Sequence, residues 1–315
     1  MSIDSSRNLS RNVLVIVGPT AVGKSSLSVK VAQQLIGQGI AAEIVSADSM
    51  QAYIGMDIGT ASPTKEERGG ITHHLLDVWP SDHVLTVSDY QETARSAIND
   101  VLARGAVPIV VGGSGLYVSA ILDDLKFPPT DPQVRAKYET QLEQEGPLAL
   151  HRALAKVDPK AAALMLPTNG RRLVRALEVI ELTGEPYNAK LPDPVELYAT
   201  VRIGLNIPRV EMDDRIAQRV HQMIADGFVH EVQALPDLKN SVTASRALGY
   251  TQILEYLDGE CSLDEAVNTT IAITKKFARR QQRWFAGDSR ITWLDYNDAA
   301  LVSKVCALLG ADTKQ

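Results

Sequence analysis

Eight residues near the start of the chain have the types and the spacing of a phosphate-binding loop. They match the pattern G-x-x-x-x-G-K-[ST], in which backbone N–H groups and a helix N-terminus surround a polyphosphate. The lysine reaches terminal phosphate oxygens and the final hydroxyl can hold Mg²⁺, so the loop predicts a polyphosphate ligand, either a nucleoside triphosphate or a prenyl diphosphate. The eight residues are Gly18, Pro19, Thr20, Ala21, Val22, Gly23, Lys24 and Ser25.

The segments around this loop are those that it requires. An apolar run at 13–17 predicts a buried parallel strand, and the spacing at 26–32 predicts a helix. A second strand is predicted at 42–46 and a third at 107–111. Because ligands bind outside the carboxyl ends of strands in an open α/β sheet, we expect Asp48 to face the loop. Asp48 could act on the ligand, hold Mg²⁺ through water, or cap the next helix.

The composition is that of an ordinary globular protein of 315 residues, with 45% hydrophobic and 22% charged residues. A net charge of −6 argues against non-specific coating of nucleic acid, but it allows a local basic face. No apolar run is long enough to span a membrane, and the N-terminus lacks the apolar middle of a signal peptide. Cys261 and Cys306 are far apart, which disfavours a disulfide scaffold or a zinc site and indicates a reducing cytoplasm.

We predict an α/β fold, in which a P-loop NTPase-like parallel sheet is flanked by helices and carries a mostly helical insertion domain. The predicted boundaries are a flexible N-terminus at 1–10, a catalytic core at 11–126 and 200–300, an insertion at 127–199 and a C-terminal tail at 301–315. Further predicted elements are helices at 88–104, 212–235, 249–257 and 263–285, strands at 75–79, 201–207 and 291–294, and a capping box at 64–67.

Two helical segments are basic. In the segment at 171–178 the simpler interpretation is a solvated face whose arginines pair with Glu178 and Glu181. The second segment interleaves cations with aromatic residues, which can bind a phosphate backbone and stack bases, or can belong to an amphipathic helix whose aromatics are core. Its residues are Lys275, Lys276, Phe277, Arg279, Arg280, Arg283, Trp284 and Phe285.

Three classes of P-loop protein compete on the residues alone. A small-molecule kinase would use the loop to transfer the γ-phosphate of ATP. A GTPase would need a guanine-reading N-K-x-D element, and no such match occurs in the chain. A transferase would use the loop to hold a diphosphate leaving group.

The order of seven short blocks resembles that of bacterial tRNA dimethylallyltransferases, also called tRNA isopentenyltransferases. The resemblance covers about residues 11–296, and its D-S-x-Q and G-M-D-I-G-T-A blocks are far more specific than the phosphate loop. The blocks are G-P-T-A-V-G-K-S at 18–25, S-A-D-S-M-Q at 46–51, G-M-D-I-G-T-A at 55–61, H-H-L at 73–75, V-G-G-S-G-L-Y at 111–117, R-A-L-E-V at 175–179 and L-G-Y at 248–250.

The resemblance implies a reaction and a set of site residues. The family transfers a dimethylallyl group from dimethylallyl diphosphate to N6 of the adenosine 3′ of the anticodon, at tRNA position 37, and uses Mg²⁺. Asp48 would be the base, and Arg246 would stabilise the departing diphosphate. The adenine would flip out of its stack, and the protein would act as a monomer on the anticodon stem-loop. The implied tRNA contacts are Asp48, Ser49, Met50, Gln51, Ser114, Arg135, Asn169, Arg171 and Arg172.

Three positions depart from the family pattern. Ser62 stands where a lysine is usual, Thr168–Asn169 replaces an Asn–Asp pair, and Thr251 replaces an arginine. These departures concern contacts with tRNA more than the reaction. An adenylate isopentenyltransferase, a metabolite kinase and a non-catalytic RNA-binding module are the alternative interpretations.

Overall fold

The structure is a computed structural model that describes residues 12–189, 191–235 and 237–311. Its centre is a six-stranded sheet in which every pairing is parallel and the strand order is β3-β2-β4-β1-β5-β6. The strands are β1 (Asn12–Val17), β2 (Ala42–Ser46), β3 (His73–His74), β4 (Val107–Gly112), β5 (Ala199–Asn206) and β6 (Ile291–Asp295). The fold class predicted from the sequence is confirmed.

Helices cover both faces of the sheet. Those of the sheet-bearing part are α1 (Lys24–Gly37), α2 (Val87–Ala103), α3 (Gly115–Leu122), α8 (Arg209–Ala225), α9 (Phe228–Gln233), α10 (Tyr250–Leu257), α11 (Leu263–Ala286) and α12 (Leu301–Leu309). Those of the inserted part are α4 (Pro132–Glu145), α5 (Pro147–Val157), α6 (Pro159–Ala163) and α7 (Gly170–Thr183). No helix in the described ranges is both long and apolar enough to cross a membrane.

The alternation of side chains along β1 divides the core into two layers. Val13, Val15 and Val17 belong to the cluster on one face, and Leu14 and Ile16 belong to the cluster on the other. Because successive strand residues point to opposite faces, a run that is apolar at every position must be covered on both sides. The strand is therefore central, and the loop that follows it emerges at the middle of the sheet edge.

The chain divides into two compact units, of which one is Asp124–Val195 and the other is the rest. The smaller unit has its own core, which includes Leu150, Leu154 and Leu173. The predicted insertion at 127–199 starts three residues late and ends four residues late. Residues 196–199 belong to the sheet-bearing unit because Glu196 pairs with Arg202 there and β5 begins at Ala199.

The prediction of a C-terminal tail at 301–315 is wrong for its described part. Residues 301–309 form α12, whose residues Leu301, Val305 and Cys306 are buried in the same cluster as Leu35 of α1. The apolar spacing of the segment therefore belongs to an amphipathic helix of the core. The predicted flexible N-terminus at 1–10 lies outside the described residues.

The region between β2 and α2 is less regular than predicted. The strand expected at 75–79 is absent because Leu75 and Asp77 have left-handed backbones (φ 64° and 54°), and the pairing with β2 ends at His74. The capping box at 64–67 does form, since Thr64 Oγ1 accepts from Glu67 N at 3.2 Å, but only turns follow it before positive φ at 69–70.

The long helix predicted at 212–235 is two helices. Gly227 has φ 99° and separates α8 from α9. The break changes the direction of the chain, so that α8 faces the phosphate loop while α9 reaches a different turn, as described below.

Candidate active site

The loop between β1 and α1 has the backbone that a phosphate nest needs. Gly18 and Gly23 have φ of 149° and 102°, and Ala21 has φ of 63° despite its side chain. A Cβ on Gly18 would lie 3.2 Å from the carbonyl oxygen of Leu205, so close approach to β5 also favours glycine. Lys24 is the first residue of α1, which places the helix N-terminus at the loop.

A large cavity of about 1170 Å³ lies over this loop within the sheet-bearing unit. Its walls come from the loop, from the tips of β2 and β4, from the turns at 57–69, and from α8 and α11. The cavity wall includes Lys24, Ser25, Asp48, Arg219, Phe277 and Gln281, as well as Ser62, the first of the departures from the family pattern.

Lys24 is turned back onto its own loop. Its Nζ donates to the carbonyl oxygen of Pro19 at 2.8 Å. Burial and the nearby charge of Arg219 lower the pKa of Lys24 to about 8, against the opposing effect of Asp48. Lys24 is half-buried, and among the described residues no carboxylate lies at bonding distance from its Nζ, so the side chain can bind an anion.

Two arginines of α8, one helical turn apart, hold the outer side of the loop. Arg215 Nε donates to the carbonyl oxygen of Ala21 at 2.9 Å. Arg219 donates to Thr20 Oγ1 and to the carbonyl oxygen of Thr60, each at 3.4 Å. Burial lowers the pKa of Arg219, although the charges of Asp48 and Glu67 oppose this shift. The sequence analysis missed both residues. Their spacing of four on a predicted helix was the available signal.

Asp48 lies just beyond the carboxyl end of β2, and it lines the same cavity as Lys24 and Arg219. Burial raises the pKa of the Asp48 carboxyl, while the N–H of Met50, which donates to Oδ1 at 3.0 Å, favours its charged form together with the two cations. A carboxylate with a raised pKa is the kind of group that serves as a general base near neutral pH.

The residues after Asp48 have structural partners of their own. Ser49 is buried and its side chain hydrogen-bonds with Tyr117. Gln51 accepts from Ser46 Oγ at 3.0 Å and donates to the carbonyl oxygen of Ala61 at 3.2 Å, so its carboxamide fixes the G-T-A turn. Met50 is half-buried and packs on the core. Of the four predicted contacts in this segment, Asp48 and Gln51 line the cavity.

Ser114 and Arg246 lie outside the cavity wall. Ser114 precedes α3 and makes no capping bond through its side chain, although the adjacent Gly113 does line the cavity. Arg246 belongs to a short 3-10 helix, Ala244–Arg246, and its side chain is exposed. The structure brings Arg215 and Arg219, rather than Arg246, into the cavity with Lys24 and Asp48, and the role assigned to Arg246 stays a prediction.

A carboxylate from α9 holds the G-M-D-I-G-T block. Glu231 accepts from the backbone N–H groups of Asp57, Ile58 and Gly59 at 3.0, 2.6 and 3.1 Å, and from the hydroxyl of Tyr250 at 2.6 Å. A Cβ on Gly59 would lie 2.2 Å from the ring of Phe228, so only glycine fits. Two blocks recognised separately in the sequence thus meet at Glu231, which sequence reasoning missed.

In the unit Asp124–Val195, the predicted RNA-contacting residues form bonds inside that unit. Arg135 pairs at 2.8 Å with Glu178, which is fully buried. Although burial opposes ionisation, hydrogen bonds from Arg135, Thr130 and Arg175 lower the pKa of Glu178 to about 2. The predicted pairing of Arg175 with Glu178 is thereby confirmed, but Glu178 is buried and does not belong to a solvated face.

The remaining three predicted contacts lie at the start of α7. Asn169 caps this helix by accepting from the N–H of Arg172 at 3.3 Å. Arg172 also donates to the carbonyl oxygen of Ala189, and both Arg171 and Arg172 are exposed. Their exposed cationic surface is compatible with an RNA backbone.

Oxygen ligands for a divalent cation are available at the loop. Ser25 and Asp48 both line the cavity, and hydroxyl and carboxylate oxygens are ligands that Mg²⁺ prefers. Within the described residues there is no group of three or more His, Cys, Asp or Glu side chains that could hold a metal ion by themselves. The site therefore fits Mg²⁺ carried largely by substrate phosphates, as is usual for this ion.

Comparison with known proteins gives a consistent set of relatives. The model of the IPP transferase family matches residues 51–288. A protein of Thermobifida fusca (strain YX) named tRNA dimethylallyltransferase is 57% identical over 299 residues, which are 94% of each chain. A protein of the same name from Streptomyces coelicolor is 55% identical over 284 residues, which cover 90% of this chain and 89% of that one.

Solved structures agree with these sequence relatives. The full-length tRNA isopentenylpyrophosphate transferase of Bacillus halodurans superposes with a TM-score of 0.69 at 38% identity, with 95% of both chains covered. A eukaryotic dimethylallyltransferase described as acting on tRNA has a TM-score of 0.74 at 24% identity, covering 97% of this chain and 81% of that one, and it supports the fold alone.

Proposed function

The chain belongs to the IPP transferase family, and on that premise we propose that it is a tRNA dimethylallyltransferase. It transfers the dimethylallyl group of dimethylallyl diphosphate to N6 of the adenosine at tRNA position 37, giving N6-isopentenyladenosine and diphosphate. The observation that carries the proposal is that one cavity contains a phosphate loop, two half-buried cations and a carboxylate with a raised pKa.

The loop and its cations bind the diphosphate. The backbone from Thr20 to Gly23, with the N-terminus of α1, surrounds the phosphate oxygens. Lys24 would leave the carbonyl oxygen of Pro19 for these oxygens, and Arg219 lies on the other side of Thr20. Since negative charge accumulates on the diphosphate as it leaves, these fixed cations stabilise the transition state.

Ser25 and Asp48 would supply the protein oxygens that hold Mg²⁺ in the substrate complex. The ion would supply further neutralisation of the departing diphosphate. An allylic carbon tolerates cationic character, so the chain needs to align donor and acceptor more than to form a covalent bond with either.

Asp48 accepts the proton that the N6 amine of the target adenosine loses. The exocyclic amine of adenine is a poor nucleophile because its lone pair is delocalised into the ring. As the N6–carbon bond forms and the carbon–oxygen bond to the diphosphate breaks, a proton on N6 becomes acidic and passes to Asp48. The raised pKa of Asp48 makes its carboxylate a better base than an exposed aspartate would be.

The tRNA binds as an anticodon stem-loop whose target adenine leaves its stack to reach the cavity. We assign backbone contacts to the exposed Arg171 and Arg172 and to the basic face of α11. Arg135 can contribute only if it shares its guanidinium with Glu178. We further propose that the protein acts as a monomer in the cytoplasm.

The proposal is tested by transfer of label from radiolabelled dimethylallyl diphosphate to an anticodon stem-loop in the presence of Mg²⁺. Label should enter the stem-loop and should be lost when the target adenosine is replaced by guanosine. AMP serves as a parallel acceptor. Label in AMP alone would instead identify an enzyme that modifies free nucleotides, and label in neither acceptor would contradict the proposal.

A further inference from the structure

Gln281 of α11 touches the phosphate loop directly. Its side chain is buried, with 6% of its surface exposed, and its Oε1 accepts from the backbone N–H of Thr20 at 2.8 Å. This contact joins positions 261 residues apart in the chain. It orients the Pro19–Thr20 peptide, one residue before Ala21, which is the one residue of the loop other than glycine with a left-handed backbone.

The amide nitrogen of the same side chain, Nε2, lies between Gly113 and the phosphate loop. A Cβ on Gly113, at the tip of β4, would lie 2.4 Å from Gln281 Nε2 and 3.2 Å from the carbonyl oxygen of Gly18. Only glycine leaves room there for the amide. Gln281 is therefore wedged between the tips of two neighbouring strands, and its position is tightly defined.

The helix that carries Gln281 also carries the basic face, which consists of Lys275, Lys276, Arg279, Arg280 and Arg283. One turn before Gln281, Phe277 lines the cavity, and the guanidinium of Arg280 stacks 5.7 Å from its ring. Arg279 pairs at 3.6 Å with Asp213 of α8, the helix that holds the loop from the other side. A change in the position of α11 would thus move the phosphate loop in two ways, directly through Gln281 and indirectly through Arg279 and α8.

We propose that Gln281 is a positioning residue that couples the two substrates, since it fixes the diphosphate loop from the helix whose cations meet the tRNA backbone. This inference rests on the proposed function. RNA bound to the basic face holds α11 in place, Gln281 in turn orders Thr20, and the loop then binds diphosphate with less loss of conformational freedom. Because such coupling is reciprocal, diphosphate tightens RNA binding by the same factor.

The test is a calorimetric titration of inorganic diphosphate, with Mg²⁺, into the protein alone and into the protein saturated with anticodon stem-loop. In the wild type we expect the stem-loop to tighten diphosphate binding about fivefold or more, the lower end of typical coupling. Gln281→Met keeps the volume and removes the acceptor, so it should weaken diphosphate binding and bring the ratio close to one. A ratio in this variant equal to that of the wild type would overturn the proposal.

Two further variants separate positioning from packing and charge. Gln281→Glu keeps an acceptor for the N–H of Thr20 but adds a negative charge. The affinity for diphosphate should therefore fall both with and without the stem-loop, while the ratio of the two affinities is retained. Gln282→Met makes the same chemical change one residue along, at a residue outside the cavity wall, and should behave as the wild type. In steady state, Gln281→Met should raise KM for dimethylallyl diphosphate more than it lowers kcat.

The outcomes distinguish this proposal from the function on which it rests. A wild-type protein that transfers label but shows a ratio of one would overturn the coupling and leave the transferase activity intact. A wild-type protein that binds no stem-loop would overturn both.

Discussion

Two clusters of charged side chains in the sheet-bearing unit differ in how their charges are compensated. The first, which we call the junction network, consists of Arg202, Arg290, Asp123 and Asp288. Arg202 is 4% exposed and bonds to each of the two carboxylates at 3.1 Å. Arg290 bonds to the same two carboxylates at 2.7 Å. Although burial opposes it, the hydrogen bonds from Arg290 hold the pKa of Asp288 below its usual range.

The second, the loop cluster, consists of Lys24, Asp48 and Arg219 and has the opposite behaviour. Burial lowers the pKa values of Lys24 and Arg219 and raises that of Asp48, so each group is shifted toward its neutral form. Charged side chains therefore mark a ligand site where protein contacts leave their desolvation uncompensated. The junction network satisfies itself, and the loop cluster requires a substrate.

The largest expected effect in the loop cluster is that of Asp48→Asn on the reaction. The variant keeps the shape but cannot accept a proton, so kcat for label transfer should fall by about 10²–10⁴. Since burial raises the pKa of Asp48 in the folded state, its charge costs stability at pH 7, and thermal unfolding of the variant should be unchanged or shifted upward. Near-normal turnover would contradict the assigned base.

The corresponding change in the junction network should lower the stability of the fold and leave the reaction nearly unchanged. Asp123→Asn removes one of the two carboxylates that Arg202 and Arg290 share, and the more deeply buried one, so the free energy of unfolding should fall by about 3 kcal/mol. Transfer per folded molecule should stay within about twofold of the wild type, because Asp123 does not line the cavity. Denaturant unfolding and transfer assays on the same preparation measure both quantities. A stable variant that has lost its activity would reverse the assignment.

A smaller effect is expected from pH. The pKa of Lys24 is lowered from its usual 10.5 to about 8, so the free enzyme loses this cation as pH rises through about 8. The kcat/KM for dimethylallyl diphosphate should therefore decline above about pH 8, since kcat/KM reports ionisations of the free enzyme. Lys24→Arg, which stays charged, should move this decline upward. A profile that is flat to pH 9.5 in the wild type would contradict the shifted pKa.

The sequence predicts those features of the loop cluster that depend on neighbouring residues, and it does not predict those that depend on distant segments. The loop, the strands that flank it and the position of Asp48 follow from local patterns and from the rule for sheet edges. Arg219 and Glu231 carry no local motif; Arg219 lines the cavity from α8, and Glu231 holds the turn at 57–59 from α9. Their roles depend on tertiary contacts that a single sequence does not specify.

The same limit explains the errors in the predicted elements. The apolar run at 75–79 has the composition of a strand, but two left-handed residues after His74 end the pairing. Cys306 looked like one of two isolated cysteines in a tail, whereas it lies on the buried face of α12. In both places packing against distant segments decided the structure, and local composition did not.

The most direct test of the central claim is the shift in unfolding temperature that inorganic diphosphate causes, with Mg²⁺ present. A ligand at 100 times its Kd stabilises the folded state by about 2.7 kcal/mol, so the wild type should melt at a clearly higher temperature. We predict the same shift for Asp123→Asn, which alters only the junction network, and loss of most of the shift for Arg219→Met. No shift in the wild type, or an equal shift in Arg219→Met, would show that the loop cluster does not bind diphosphate and would contradict the account.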